Sequence, residues 1–512
     1  MKNKAAFNGV VILTLALIII KILSAIYRIP YQNILGDSGL YAYQQIYPIV
    51  ALGMILSMNA IPSAVTQNLG RNEDKYQTQN YSQVLKVIQF FGIALCAIIF
   101  ICAKMLAYAM GDTHLTPMIQ TASISFLFIG ILGVLRGYYQ AANNMNIPAM
   151  SQVIEQVVRV GIIIITILLF SSLGWTIYQA GTMAILASSL GFLASSIFLI
   201  CQKPFRFKIK VDNTNISWKR LIVSIFIFAV SQLIVILWQV IDSFTIIQTL
   251  KSIGTPFKQA ISDKGIYDRG ASFIQMGLIV TTTFSFALIP LLSDAIRDNN
   301  RLQMNRYANA SLKITILIST AAGIGLINLL PLMNSVFFKT DQLTLTLTIY
   351  MITVICVSLI MIDMALLQAK HAIKPIMIGI CAGIILKIIF NVVLIRLFGI
   401  LGASLSTVMS LIVFGTILHV AVNALYNTYA MKHYLSKVIL SMLVMSGVVQ
   451  LLLFIITTHQ RWTGLIELLI VAIIGIIVLI IFIMKFSVLT YRELIYLPYG
   501  EKLYRRMKGR RK

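Results

Sequence analysis

The sequence predicts an all-α polytopic membrane protein. Apolar runs of about 20 residues recur along its 512 residues, each long enough to cross a bilayer as a helix. Only 11% of the residues are charged, against about 25% in a soluble domain. Lys and Arg gather in alternate connecting segments, as in a chain that weaves through a membrane.

Fourteen spans are read from these runs: 8–34, 40–68, 82–108, 117–143, 148–170, 176–201, 219–247, 267–293, 309–337, 343–368, 373–397, 400–424, 436–457 and 463–486. Several exceed the roughly 20 residues needed to cross, which predicts tilted or partly extramembrane helices. The run after Met1–Phe7 lacks a small-residue cleavage pattern, so it reads as the first span.

With the N-terminus in the cytoplasm, 25 Lys and Arg residues fall on the cytoplasmic side, eight of them between Arg492 and Lys512. The external loops hold five: Lys251, Lys258, Lys264, Lys339 and Arg461. This asymmetry places both termini in the cytoplasm. A net charge of +25 would suit nucleic acid, but its confinement to alternate loops and the tail points to anionic lipid instead.

A repeat divides the chain. Pro62 and Pro290, Gln140-Ala141 and Gln368-Ala369, and Gly174 and Gly402 all stand at one identical offset in the sequence. Pro148 and Pro375 stand one position short of it. A displacement of six spans keeps the membrane direction, so the repeats are parallel. The expected organisation is a first lobe at 1–201, a cytoplasmic linker at 202–218 and a second lobe at 219–424. Two added spans at 425–486 and a basic tail at 487–512 complete it. At the same offset Arg159 meets Lys387, whose helix carries Gly383, Lys387 and Asn391 on one face.

The fifth span carries Gln152, Glu155, Gln156 and Arg159 at i, i+3, i+4 and i+7, also one face. A charge at bilayer depth costs about 2.5–3.5 kcal/mol, so this stripe must face helices or a water-filled cavity. The cavity reading makes it a substrate-binding surface; the simpler one is a Glu155–Arg159 helix pair. Lys21 lies near mid-span, too deep to snorkel. Arg28 and Arg136 suit either a headgroup or snorkelling, and Ile29-Pro30 is expected to break the first span. Gly133 and Gly137 allow close helix approach. Asp242 suits pairing with Arg269 or binding a coupling cation. Asp363 suits a proton or Na+ site, or pairing with a base. His419 stands alone in its span.

No catalytic constellation, metal set or cofactor motif appears. The five cysteines have no redox or metal spacing, and the absence of a Walker loop excludes an ATP-driven transporter in one chain. The intramembrane cations Lys21, Arg28, Arg136, Arg159, Arg269 and Lys387 outnumber the acids Glu155, Asp242 and Asp363. Such a cavity suits a phosphate-bearing anion, with the amides turned to sugar groups. It does not suit an organic cation.

Several segments carry a family likeness: Ile26-Tyr-Arg28-Ile-Pro30, Leu135-Arg-Gly-Tyr-Tyr-Gln140, Gly265-Ile-Tyr-Asp-Arg-Gly270 and Phe398-Gly-Ile-Leu-Gly-Ala403. With the 6+6+2 arrangement, the chain resembles the multidrug/oligosaccharidyl-lipid/polysaccharide (MOP) flippase superfamily. The branch resembled is the polysaccharide-biosynthesis or SpoVB-like one, related to MurJ lipid II flippases. The resemblance implies two six-helix lobes in a V, alternating access, and movement of undecaprenyl-diphosphate-linked saccharides to the outer leaflet of a bacterial membrane without hydrolysis. It also implies arginines in a cationic cavity, with Arg28 and Arg269 at similar positions; the family's Arg-Asp pair on the first span is Arg28-Ile29 here. Two other readings stay open. A MATE-type drug exporter coupled to H+ or Na+ would depend on Asp242 or Asp363, and a membrane scaffold would tolerate cavity substitutions.

Overall fold

The computed structural model describes residues 27–69, 77–202, 216–285, 288–427, 431–456, 461–490 and 493, which are helical with no strand among them. The helices are α1 (Arg28–Ile55), α2 (Ile61–Leu69), α3 (Gln77–Ile101), α4 (Ala103–Ala109), α5 (Thr116–Ser123), α6 (Ile129–Ala141), α7 (Asn146–Ser172), α8 (Ile177–Cys201) and α9 (Trp218–Ser252). They continue as α10 (Phe257–Ser285), α11 (Ile289–Arg297), α12 (Arg301–Phe338), α13 (Thr344–Ala369), α14 (Ile373–Phe398), α15 (Ile400–Leu425), α16 (Met431–Ile455) and α17 (Arg461–Lys485).

Among the described residues, twelve helical stretches are long and apolar enough to cross a membrane. They match twelve of the expected spans. Most of the expected 8–34 span lies outside the described residues, as does Lys21. The expected 267–293 span corresponds to α10 and α11. Helix α10 is not among the twelve, and Lys258, Asp263, Lys264, Asp268 and Arg269 charge its first half. Many large apolar side chains point outward, including Phe90, Ile101, Leu168 and Phe454. In water that surface would be an aggregation liability; in a bilayer it is the solvated face.

The chain divides into two compact units, Met1–Asp268 and Arg269–Lys512. In the first, α1 begins at Arg28, two residues before Pro30, and a separate break inside α1 falls at Gly36. Pro30 occupies the first turn of α1, where no intrahelical donor is required. Gly36 takes φ 74°, ψ −178°, open to a residue without Cβ. A π-helical turn, Leu56–Ala60, joins α1 to α2. Helix α2 packs on α6 because Gly133 and Gly137 leave room: a Cβ at Gly133 would lie 2.6 Å from Ile61 Cγ2, and one at Gly137 2.7 Å from Val65 Cβ. The buried side chains of Ile61, Val65, Val84, Ile129 and Val134 fill this contact. Helices α7 and α8 form a hairpin. The Thr176–Gln179 capping box starts α8, and a Cβ at Gly191 would lie 2.6 Å from the Glu155 carbonyl.

In the second unit, α14 and α15 form the corresponding hairpin, turning at Gly399 (φ 59°). A Cβ at Gly402 would meet the Leu394 carbonyl oxygen at 2.1 Å, so the turn admits only glycine. Helices α16 and α17 pack against α12 through Leu317, Val438, Met442, Val449 and Val471. The repeat appears in the helix bounds themselves. The first residue of α11, Ile289, stands at the repeat offset from the first residue of α2, Ile61. Ala369, which ends α13, stands at the same offset from Ala141, which ends α6.

Candidate functional site

The four polar residues of the α7 stripe are all buried. Periodicity puts them on one face, and the close approach of α8 at Gly191 covers that face. Glu155 does not form the expected ion pair with Arg159. Its Oε2 accepts from Arg136 Nη2 at 2.7 Å. Arg136 also donates through Nε to Ser151 Oγ at 2.9 Å, through Nη1 to the Ser57 carbonyl at 3.3 Å, and through Nη2 to Ser195 Oγ at 2.9 Å. The guanidinium therefore ties the π-helical turn, α6, α7 and α8 together. It does not snorkel. A planar five-donor fork suits this task, and a lysine would fill fewer of these positions.

Arg159, one turn beyond Glu155, turns to a different set of groups. Its Nη1 lies 2.7 Å from Met54 Sδ, and Tyr27, Tyr43 and Tyr47 are among its electrostatic neighbours. The same three tyrosines are electrostatic neighbours of Arg28. Arg28 Cζ sits 5.0 Å from the Tyr47 ring centroid, a cation–π stack. Tyr27 and Tyr43 share a hydrogen bond of 2.8 Å between their hydroxyls. Tyr31 packs on Tyr43 at 5.3 Å between centroids, and Tyr43 on Tyr47 at 5.9 Å. Arg28 and Arg159 are only 2% and 1% exposed, so both cations are held out of solvent within one unit. Among the described residues Arg28 Nε has no hydrogen-bond partner.

This places Arg28 and Arg159, read separately in the sequence, at one tyrosine-walled centre. The tyrosines gave little sequence signal, because Tyr is common at membrane interfaces. Their i, i+4 spacing at 27, 31, 43 and 47 is the clue that was available.

Two further acids of the first unit have side-chain partners among the described residues. Asp242 accepts from Tyr267 Oη at 3.0 Å, and Asp268 pairs with Lys264. Gln45 Nε2 donates to the Ser243 carbonyl at 2.6 Å, and Ser243 Oγ returns a bond to the Gln45 carbonyl at 3.1 Å, locking α1 to α9. Sequence reasoning passed over Asp112. It is buried and accepts from Tyr41 Oη at 3.3 Å, Tyr178 Oη at 2.7 Å and His114 Nδ1 at 2.9 Å. A lone Asp before a span reads as a cap, and it does accept from the His114 amide.

In the second unit, Arg269 Nη1 donates to Asn334 Oδ1 at 3.0 Å and Thr340 Oγ1 at 3.2 Å, and its guanidinium covers the Phe338 ring. Lys387 and Asn391 are bonded to each other at 3.0 Å. His419 is not alone: its Nδ1 lies 3.4 Å from Asp363 Oδ2, joining α15 to α13. No cluster of three or more His, Cys, Asp or Glu residues suited to a metal occurs among the described residues.

The polysaccharide biosynthesis protein family matches residues 6–296, more than half of the chain. The chain belongs to the polysaccharide biosynthesis protein family. An uncharacterised membrane protein of Bacillus subtilis, YabM, is 32% identical over 99% of this chain and 98% of its own length. The lipid II flippase MurJ of the same organism is 24% identical, covering 79% of this chain and 80% of MurJ. Stage V sporulation protein B of the same organism is 24% identical over 60% of this chain and 61% of its own length. Among solved structures, the lipid II flippase MurJ in an inward closed conformation aligns with a TM-score of 0.70 at 18% identity, covering 95% of this chain and all of that one. A MATE-family multidrug resistance transporter of the MOP superfamily, in its inward-facing conformation, aligns at 0.58 and 15% identity over 80% of this chain and 96% of its own. This polysaccharide biosynthesis family member is thus a multi-pass membrane protein with the MOP fold. Its family match runs through α1–α11, the stretch that holds the Arg28–Arg159 centre.

Proposed function

We propose that this protein is a flippase that moves an undecaprenyl-diphosphate-linked saccharide from the cytoplasmic to the outer leaflet of a bacterial membrane by alternating access. The saccharide is a cell-wall precursor such as lipid II or another polysaccharide repeat unit. One observation carries the reading: Arg28 and Arg159, both buried, share Tyr27, Tyr43 and Tyr47 as neighbours. Two guanidiniums in a dry aromatic setting suit a diphosphate, which takes forked donors, and tyrosine faces suit the sugar beside it. Arg28 Nε, without a partner among the described residues, is a donor suited to a phosphate oxygen. The names of the MurJ relatives support the same class of cargo.

Gln152 and Gln156 on α7 add amides for the headgroup; Lys21, the other cation assigned to it, lies outside the described residues. No bond of the cargo is broken, so the chain's task is binding and reorientation rather than catalysis. A negative cell interior favours outward movement of the anion by about 2.3 kcal/mol per charge per 100 mV. The basic tail, also outside the described residues, holds the chain to anionic lipid.

The test is flipping of defined undecaprenyl-diphosphate-linked saccharides in vesicles reconstituted with wild type and Arg159→Glu. Wild type should expose the saccharide to an external probe, and Arg159→Glu should abolish exposure while still inserting. Unchanged transport by Arg159→Glu would sink the proposal. Drug efflux that depends on Asp242 or Asp363, with no saccharide flipping, would support the MATE-type reading.

A further inference from the structure

The α14–α15 hairpin surrounds the ammonium of Lys387 with oxygen. Lys387 Nζ lies 2.6 Å from Thr407 Oγ1, 3.0 Å from Asn391 Oδ1 and 3.4 Å from the Ala403 carbonyl oxygen. The ammonium thus donates to a hydroxyl, an amide and a carbonyl oxygen. The Thr407 hydroxyl gives its own proton to the Ala403 carbonyl at 2.9 Å, so its lone pairs are turned to Nζ. Ser406 Oγ donates to the carbonyl of Lys387 at 3.2 Å and fixes the backbone from which the side chain springs. Lys387, Asn391, Ala403, Ser406 and Thr407 are all buried.

A compact single positive charge ringed by amide, hydroxyl and carbonyl oxygens is in the environment that hard cations select. A phosphate-binding lysine needs hydrogens turned outward; here they are turned to resident oxygens. The repeat sharpens the contrast. At the repeat offset, Asn391, Ala403 and Thr407 correspond to Ile163, Trp175 and Gln179 in the first half of the chain. The Asn391 amide and the Thr407 hydroxyl thus have no like residue in the first repeat, although each repeat carries a cation at the same helical position.

We propose that Lys387 is a tethered monovalent cation: its ammonium fills an oxygen-lined alkali-cation site between α14 and α15, and the protein needs no dissolved ion there. Removing the ammonium leaves the oxygens and opens the site to Na+ or K+. The proposal concerns cation binding and stands whether or not the cargo is a lipid-linked saccharide.

The test uses purified full-length protein in detergent, with no transport step. Melting temperature and radioactive sodium binding are measured in NaCl, KCl and N-methylglucamine chloride. Wild type should melt at the same temperature in all three salts and bind no saturable sodium. Lys387→Ala should melt lower in N-methylglucamine chloride and recover, saturably, in NaCl or KCl. Adding Thr407→Val to Lys387→Ala should abolish that recovery. Lys387→Met, which keeps the apolar stem and ends one atom short of the ammonium position, serves where the alanine variant does not fold. A neutral variant with no saturable alkali response overturns the proposal. So does saturable sodium binding by wild type that Asn391→Ala removes.

Discussion

Arg136 donates through Nη2 to Glu155 Oε2 at 2.7 Å, and neither side chain reaches solvent. The pair joins α6 to α7 and carries with it hydroxyls on two helices and a carbonyl of the π-helical turn. Removing one member strands the other in a low-dielectric site, which costs about 3–5 kcal/mol. Glu155→Ala should therefore lower the melting temperature strongly. Arg136→Met with Glu155→Leu should recover much of the loss, because both charges leave together. Thermal unfolding of Arg136→Met, Glu155→Leu and the double variant in detergent closes the cycle. An additive double variant would show that the residues do not act as a pair.

Arg28 stacks on Tyr47 as well as carrying charge. Arg28→Lys keeps the charge and loses the planar fork, a contact worth about 0.5–2 kcal/mol. Flipping of a lipid-linked saccharide should fall by about tenfold with folding retained. Tyr47→Leu should fall similarly, and the two together should lose little more. Full activity in Arg28→Lys would mean that charge alone matters at this position.

Much of this organisation was written in the sequence, and the missing part has one physical cause. Helix ends follow apolar runs, so the spans from 146 onward in the first unit and from 344 in the second match the expected bounds within a few residues. The buried α7 stripe was legible because charge cannot face lipid. The partners were not legible, because they come from other helices. Glu155 prefers Arg136, on the preceding helix, to Arg159 one turn away, and His419 meets Asp363 across the gap between α15 and α13. Periodicity reports which face is buried and is silent on what covers it. The Gly36 break shows the same limit in backbone form. Pro30 was the signal read there, and it stands in the first turn of α1; Gly36, with a positive φ, adds a break that no proline marks.

Glycine spacing on α6 gives a stability prediction with an internal control. A Cβ on Gly137 would press on Val65 and sit 3.0 Å from the Pro62 carbonyl. Overpacking of this kind costs about 1–3 kcal/mol. Gly161 on α7 has nothing within 4 Å of where its Cβ would stand. Gly161→Ala should be neutral or stabilising by up to about 1 kcal/mol, since alanine is the better helix former. Melting temperatures that move the same way in Gly137→Ala and Gly161→Ala would refute the close packing of α2 on α6.

The charge asymmetry of the loops predicts orientation. It puts Lys258 in an external segment and Asp298 in a cytoplasmic one, and both are exposed. In a background lacking the five native cysteines, Lys258→Cys should react with an impermeant maleimide added to intact cells. Asp298→Cys should react only after the membrane is opened. The reverse pattern would invert the topology and with it the direction of any transport.

The segment after α17 is fastened to the second unit by a nearly buried ion pair. Lys313 Nζ on α12 donates to Glu493 Oε1 at 2.8 Å, while Glu493 Oε2 accepts from the Thr490 amide at 2.8 Å. Val488 and Leu489 lie in the same apolar cluster as Leu317, Tyr434 and Val438. The Tyr434 hydroxyl donates to the carbonyl of Lys313, so the lysine is fixed at its backbone as well as its tip. Glu493→Ala leaves the ammonium without this partner and the Thr490 amide without its acceptor, a cost of about 1–3 kcal/mol. The segment should then lift, and trypsin should cut after Lys485 or Arg492 faster than in wild type. Lys313→Met with Glu493→Leu replaces the charges by apolar contacts beside Leu317 and should restore resistance. Equal cleavage rates in wild type and Glu493→Ala would show that the apolar side chains of Val488 and Leu489 hold the segment without help from the ion pair.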